Sequence, residues 1–257
     1  MQTITRKEIQ RIASLSQRKE RELQGRFKVE GFKIIGDLLL RGFPFAFVYS
    51  CLEDHTMEDR CLKNGTAWIK ISDKELAAMS SLQTPQGMLA IAPITDSAQE
   101  KEIQFPAIAL EGIQDPGNVG TIIRIADWFG IKHILADKSC ADLYNPKVLQ
   151  ASMGSFCNIS WHSSDHLAGS IAQFKRQYPT LRVLATSLSG KPLVRQSRDP
   201  FLLCMGNESK GLSEEMLGLA TELYLIPGDR ERFAESLNVG IACGIACASL
   251  SGSEPVG

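Results

Sequence analysis

Three short stretches in the second half of this 257-residue chain carry the side chains best suited to chemistry: DPGNVGTIIR at 115–124, MGNESKG at 205–211 and ESLNVGIA at 235–242. Each sets glycines and polar residues where an apolar, strand-like run ends or a helical one begins, the junctions at which α/β domains build ligand sites. In the first, Pro116 and Gly117 turn the chain, Gly120 permits close backbone approach and Thr121 onward is helical, so Asn118 and Arg124 fall near one strand end. Taken alone, this stretch reads equally well as an ordinary strand-to-helix turn with a surface arginine. GNVG lacks the spacing of a dinucleotide-binding GxGxxG turn. The second stretch spaces Gly206 and Gly211 like the glycines of a phosphate-binding P-loop. Leu212 and Ser213, however, stand where that loop needs Lys and then Ser or Thr, and Glu208 would repel phosphate. A ligand with a neutral or cationic part suits it better, and Ser213 is set to cap the next helix. In the third, Ser236 and Asn238 open a helix with Ala, Gly and Cys on nearly every face, which calls for very close packing inside the domain or against a second chain.

The elements that must position these residues alternate. Strand-like runs at 107–110, 133–136, 157–161, 182–186, 201–205 and 222–226 are interleaved with helical ones at 119–129, 146–153, 166–178 and 237–250. This pattern predicts an α/β fold with a mostly parallel sheet covered by helices. Ahead of it, a Thr5 to Glu8 capping box opens a helix running to about Gly25 with a basic exposed face. FKVEG then reads as a strand and FKIIGDLLLRG as an apolar helix. Strands at 45–49, 67–71 and 88–92, with a helix opened by Ser72 and Glu75, complete a small α/β unit. The polar, proline-bounded PITDSAQEKEIQFP between them sets the expected organisation: a domain at 1–95, a linker at 96–105 and a second domain at 106–257.

With 44% hydrophobic and 22% charged residues, the composition is that of an ordinary globular protein. A formal net charge of −1 excludes attraction of the whole molecule to nucleic acid, yet the first 28 residues hold eight Lys or Arg against three acids. Such a basic end points to local contact with a polyanion. The start has no secretory apolar core and no run approaches the ~18 apolar residues of a membrane span, so a cytoplasmic protein is expected. Seven cysteines, an odd number lying mostly within apolar runs, read as reduced thiols. Cys243 and Cys247 read as packing. His162 and His166 read as surface histidines lacking a third ligand, so no metal is expected.

In order, spacing and content the three stretches resemble the signature motifs of the SpoU (TrmH-like) branch of the SPOUT RNA methyltransferases, over about 108–250. GRFKVEGFKIIGDLL and SLQTPQGMLAIA in the first half are similar to that family's RNA-binding companion domain, itself similar to ribosomal proteins that grip bent RNA. The resemblance implies a trefoil knot in the second domain, a homodimer formed through that domain, and S-adenosylmethionine contacted at Gly206, Ile226 and Leu237; Thr186, at the end of another strand-like run before SLSGKPL, reads as a further contact. It also assigns Asn118, Arg124, Glu208, Ser236 and Asn238 to the active site. The loop at 227–235, PGDRERFAE, is longer and more charged than the family pattern, which leaves Arg230 and Arg232 unplaced.

The implied reaction transfers the sulfonium methyl to a ribose 2′-hydroxyl by in-line displacement, needing neither a metal nor a covalent intermediate. Ribosomal RNA is the substrate expected from the two-domain arrangement, with transfer RNA or a catalytically inactive RNA-binding protein as the alternatives and a nucleotide-dependent oxidoreductase more distant. Arg6, Arg11, Arg18 and Lys19 are the expected phosphate contacts. They supply affinity and no sequence choice.

Overall fold

The structure, a computed structural model, describes residues 4–94, 102–192, 200–229 and 231–250. Its elements run, in chain order, α1 (Arg6–Ser14), α2 (Arg18–Gln24), β1 (Arg26–Glu30), α3 (Phe32–Leu40), β2 (Phe47–Ser50), α4 (His55–Lys63), β3 (Ala67–Lys70), α5 (Asp73–Met79) and β4 (Met88–Pro93). There follow β5 (Ala107–Leu110), α6 (Pro116–Trp128), β6 (His133–Asp137), α7 (Pro146–Ser152), β7 (Ser160–Ser164), α8 (Leu167–Gln177), β8 (Arg182–Pro192), β9 (Phe201–Met205), α9 (Glu214–Leu219), β10 (Glu222–Leu225) and α10 (Val239–Leu250). Contacts gather them into two compact units, Met1–Asp96 with Tyr144–Cys157, and Ser97–Leu143 with Asn158–Gly257.

The first unit holds a four-stranded sheet ordered β1-β4-β2-β3 in which only β2 and β3 are parallel. One face packs Tyr49, Leu89 and Ile91 against Ile12 and Leu15 of the N-terminal segment and Leu76 and Met79 of α5. The single long N-terminal helix expected from the sequence is instead two. Ser14 and Ser16 donate their hydroxyls to the carbonyls of Arg11 and Ala13, and the Arg21 guanidinium donates to the carbonyls of Leu15 and Ser16, both at 2.9 Å. Carbonyls left free at a helix end are thereby satisfied by a cation. Arg21 is consequently 2% exposed, and Lys28 is 1% exposed, donating to the Met79 carbonyl at 2.6 Å and pairing with Glu30 at 3.7 Å. Burial, only partly offset by Glu30, lowers the Lys28 pKa. Two of the eight basic residues counted in the first 28 are therefore interior supports. The Thr5 capping box is half formed: Thr5 accepts from the Glu8 amide, but the Glu8 carboxylate accepts from the Tyr49 hydroxyl at 2.8 Å. The box at Ser72 and Glu75 is complete. Helix α4, capped by Asp54, has no counterpart in the sequence reading.

The second unit is built on a six-stranded sheet ordered β10-β8-β9-β5-β6-β7, with every pairing parallel. Continuous burial of β5 and β9 explains their uniformly apolar sequences, because helices cover both faces of such a sheet. Leu110 registers with Met205, so the chain leaves β5 and β9 side by side. Along β8 the pairing with β10 slips from Ala185–Leu223 to Lys191–Tyr224, which loops residues 186–190 out of register. Gly190 rejoins so tightly that a Cβ there would lie 2.5 Å from the Tyr224 carbonyl carbon. Among the described residues no helix is long and apolar enough to cross a membrane.

Two expectations fail at β7. The strand begins at Ser160, because Ser155–Asn158 forms a 3₁₀ turn. His162 is not a surface residue: it is half-buried and stacks on His133 of β6, with Nε2 3.1 Å from the His133 Nδ1. Burial, reinforced by His133, pushes the His162 pKa down to about 4. Unfolding restores an ordinary imidazole, so between about pH 6.5 and pH 4 the unfolded chain binds the extra proton. Stability contributed by the neutral pair is complete above that window and falls with pH inside it, by at most about 1.4 kcal/mol per pH unit. Urea unfolding of the wild type and His162→Phe from pH 7 to pH 4 is expected to show a shallower acid limb for the variant. An unchanged limb would place the acid sensitivity elsewhere.

Candidate functional site

The site lies just past the C-terminal ends of β5 and β9. After β5, Asp115 caps α6 by accepting from the Asn118 amide at 2.8 Å, and Pro116 occupies the first helical turn. After β9, the loop closes on itself through two bonds: the Asn207 amide donates to the Gly211 carbonyl at 3.1 Å, and the Gly211 amide to the Asn207 carbonyl at 2.9 Å. Only glycine fits at Gly206, where a Cβ would lie 2.4 Å from the backbone of Gly211 and Leu212. The two turns then meet through side chains. Asn118 Nδ2 donates to Glu208 Oε1 at 2.8 Å, and Asn118 Oδ1 accepts from Asn238 Nδ2 at 2.8 Å. Asn238 Oδ1 in turn accepts from the Gly240 amide at 2.9 Å and the Ile241 amide at 3.3 Å, capping α10.

Only one orientation of the two amides satisfies this chain. The backbone amides require Asn238 to present its oxygen, which turns its NH₂ towards Asn118, and the acceptor-only Glu208 carboxylate requires the same sense at Asn118. Each NH₂ has one further hydrogen with no acceptor among the described residues.

Several residues that hold this arrangement escaped the sequence reading. Glu111, directly after β5, accepts from both the amide and the hydroxyl of Ser213 at 2.7 Å, while Ser213 caps α9. Asn207 Nδ2 donates to the Gly112 carbonyl at 2.8 Å, and its Oδ1 accepts from the amides of Ser209 and Lys210. Asp137, at the end of β6, accepts from the Gly112 amide at 2.9 Å and from the amides of Ser139 and Cys140. The available signal was positional, since Glu111 and Asp137 each end an apolar run.

Of the five residues assigned to catalysis, the structure joins Asn118, Glu208 and Asn238. Arg124, on α6, is exposed, with no hydrogen bond or ion pair among the described residues, and Ser236 is exposed and likewise without a partner there. Asn238, not Ser236, caps the last helix. Thr186 lies within β8 where its pairing with β10 slips out of register, Gly206 directly follows Met205 at the end of β9, and Ile226 directly follows β10. These three are half-buried and Leu237 is 48% exposed. All four side chains are uncharged, so none of them sets a fixed charge against a cationic ligand. In the 227–235 loop, Arg232 donates to the Asp229 carbonyl at 2.9 Å, and Arg230 lies outside the described residues. The proposed phosphate contacts belong to the first unit. There Arg6 and Lys19 are exposed, Arg11 donates through Nε to Gln24 at 3.1 Å, and Arg18 pairs with Glu22 at 2.8 Å. Among the described residues no cluster of three His, Cys, Asp or Glu could hold a metal ion.

Comparison with known proteins matches residues 106–248 to the SpoU rRNA Methylase family and residues 6–90 to the MRM3-like substrate binding domain. The chain is 27% identical over 241 residues to the 23S rRNA (guanosine(2553)-2′-O)-methyltransferase RlmP of Bacillus subtilis, covering 93% of each. It is 32% identical over 157 residues to the mitochondrial rRNA methyltransferase 3 of Mus musculus, covering 56% of this chain and 38% of that longer protein. Among solved structures, the AdoMet-bound rRNA methyltransferase of Sinorhizobium meliloti superposes with a TM-score of 0.82 at 27% identity, covering 97% of this chain and 95% of that one.

The Glu111–Ser213 link gives a direct test of how the two turns are held. Glu111→Ala removes two charge-assisted hydrogen bonds, each worth about 1.5–3 kcal/mol. Hydrogen exchange at the Ser213 and Met216 amides is expected to accelerate at least tenfold while amides of β5 and β9 keep their protection. Unchanged exchange at Ser213 would show the link to be dispensable.

Proposed function

The chain belongs to the SpoU rRNA Methylase family, and from that premise we propose that it is a methyltransferase acting on a ribose 2′-hydroxyl of ribosomal RNA with S-adenosylmethionine as donor. The observation that carries the reading is the meeting of Asn118, Glu208 and Asn238, from three separate stretches, past the adjacent ends of β5 and β9. Relatives whose descriptions specify rRNA 2′-O-methylation and bound AdoMet support the substrate and donor.

Bound there, S-adenosylmethionine supplies an electrophilic methyl on a sulfonium. Thr186, Gly206, Ile226 and Leu237 would hold it largely through backbone groups. The chain must then align the ribose hydroxyl in line with the methyl and stabilise the charge that develops on its oxygen. A guanidinium stays protonated at any physiological pH, so Arg124 is assigned to the target phosphate, biasing the neighbouring hydroxyl towards ionisation, and not to proton abstraction. Asn118 and Asn238 each retain one N–H to orient the sugar. Glu208 acts through Asn118 as a positioning residue, and the exposed Ser236 is assigned to contact with the RNA.

Residues 1–95 are assigned to RNA substrate binding, 96–105 to a linker and 106–257 to the methyltransferase domain; the family matches at 6–90 and 106–248 support this assignment, and residues 144–157 group by contacts with the first unit. We assign the second domain a trefoil knot, as the family resemblance implies. A homodimer through that domain is supported by Trp128 on α6 and by Ile241 and Ile245 on α10, which are 84%, 57% and 38% exposed on a helix pair whose inner side packs Gly240 on Thr121 and Gly244 on Ile125. The protein is taken to work in the cytoplasm.

Calorimetric titration with S-adenosylmethionine, followed by methyl transfer to unmodified ribosomal RNA and mapping of the alkali-resistant linkage, tests the assignment. Saturable binding is expected, together with a single resistant site. Arg124→Ala is expected to lower transfer by roughly 10²-fold or more while donor affinity stays within a factor of about two. Near-normal turnover by Arg124→Lys would reduce the role of Arg124 to simple charge. A wild type that ignores the donor would overturn the reading.

A further inference from the structure

The first unit contains a cavity unrelated to the three strand-end motifs. It lies between α1, the first residue of β1 and the sheet face of β2 and β4, and has a volume of about 320 Å³. Its floor is apolar and aromatic, formed by Phe47, Tyr49 and Ile91 beneath Ile12 and Leu15. Three cations, Lys7, Arg11 and Arg26, stand around it with one carboxylate, Glu8.

Charge is unbalanced there. The Glu8 carboxylate accepts from the Tyr49 hydroxyl, and among the described residues none of the three cations has an ion-pair partner. Arg11 is held by one bond, from Nε to Gln24 Oε1 at 3.1 Å, which leaves its two terminal nitrogens to face outward chemistry. The guanidinium of Arg26 lies over the Phe47 ring, 5.7 Å from its centre, a cation–π contact that holds this cation at the edge of the cavity. Like charges gathered without a counter-ion favour an anion, and a slot with a flat unsaturated floor favours a planar ring. A single ligand class combines both demands. A paired nucleotide in an A-form helix hides its base faces within the stack, so a base able to enter must be unpaired.

We propose that this cavity is a binding site for one unpaired RNA nucleotide, its base against the half-buried Phe47 ring and its phosphate on Arg11, Arg26 and Lys7. The proposal rests on the reading that the substrate is RNA. It assigns the first unit a means of choosing among RNAs that phosphate contacts along helix faces do not provide, because it selects for an extruded base and not only for charge.

The test uses the full chain and an unstructured mixed-sequence RNA strand of about 16 nucleotides carrying one internal 2-aminopurine, with its fully paired duplex and with polyglutamate as competitor. The wild type is expected to quench 2-aminopurine fluorescence and to bind the single strand roughly tenfold tighter than the duplex. Arg26→Gln is expected to weaken single-strand binding about fivefold or more with little effect on the duplex. Phe47→Leu keeps an apolar floor and is expected to lose the quenching while its circular dichroism stays that of the wild type. Equal binding of strand and duplex, indifference to both variants, or competition by polyglutamate as effective as unlabelled strand would overturn the proposal. S-adenosylmethionine titration of the same preparations separates the two readings. Strand binding that follows the variants in a protein that ignores the donor sinks the methyltransferase assignment alone, whereas donor binding and methyl transfer with strand binding unaltered in both variants sinks this site alone.

Discussion

Asn118 is the point at which the second unit's loops become one object. Its side chain accepts from a residue 120 positions later in the chain and donates to one 90 positions later. That contact is possible because β5 and β9 are parallel neighbours in register, so that both strands release their loops at the same edge of the sheet. The remaining supports strengthen the same junction: Glu111 and Asn207 cross from one turn to the other, and Asp137 fixes Gly112 from the adjacent strand. Parallel topology therefore creates the site, and short polar side chains set its dimensions.

Much of this was legible in the sequence for an identifiable reason. Glycine, proline and asparagine at strand ends have few conformational roles, so DPGNVG and MGNESKG announced turns next to buried strands, and Ser213 fulfils the cap that its position implies. Strand order was not legible, because local periodicity contains no term for which apolar strands become neighbours. Glu111, Asn207 and Asp137 were missed for a related reason: a lone polar residue after a strand looks the same whether it faces solvent or clamps another loop. His162 was misjudged because its partner, His133, lies on a different strand 29 residues away. The break between α1 and α2 escaped because it depends on Arg21 turning inward to accept a structural task usually left to glycine.

Arg21 and Lys28 also alter the meaning of the basic N-terminus. A count of charges treats every cation as exposed, whereas these two spend their hydrogen bonds on backbone carbonyls inside the first unit. Arg18 is screened by Glu22 one helical turn away, an exposed pair of small energetic worth. What remains for a partner is distributed unevenly. Lys7, Arg11 and Arg26 converge on one concave surface, while Arg6 and Lys19 stand apart on helix faces. The local geometry of charge, and not its sum, distinguishes a site from a solvated helix.

The junction at Asn118 is built from amides with a carboxylate at one end only, and this choice has a physical consequence. An ion pair spanning two exposed loops would be screened by salt and would tolerate many geometries, because a point charge has no preferred direction. A run of amide hydrogen bonds has one satisfying sense, set at one end by the backbone amides of α10 and at the other by Glu208. Reversing either amide would face oxygen against oxygen or NH₂ against NH. The cap of α10 and the orientation of Asn118 are thus settled together. In a site that must align three reacting atoms, directional fixing of the surrounding loops contributes more than added charge would.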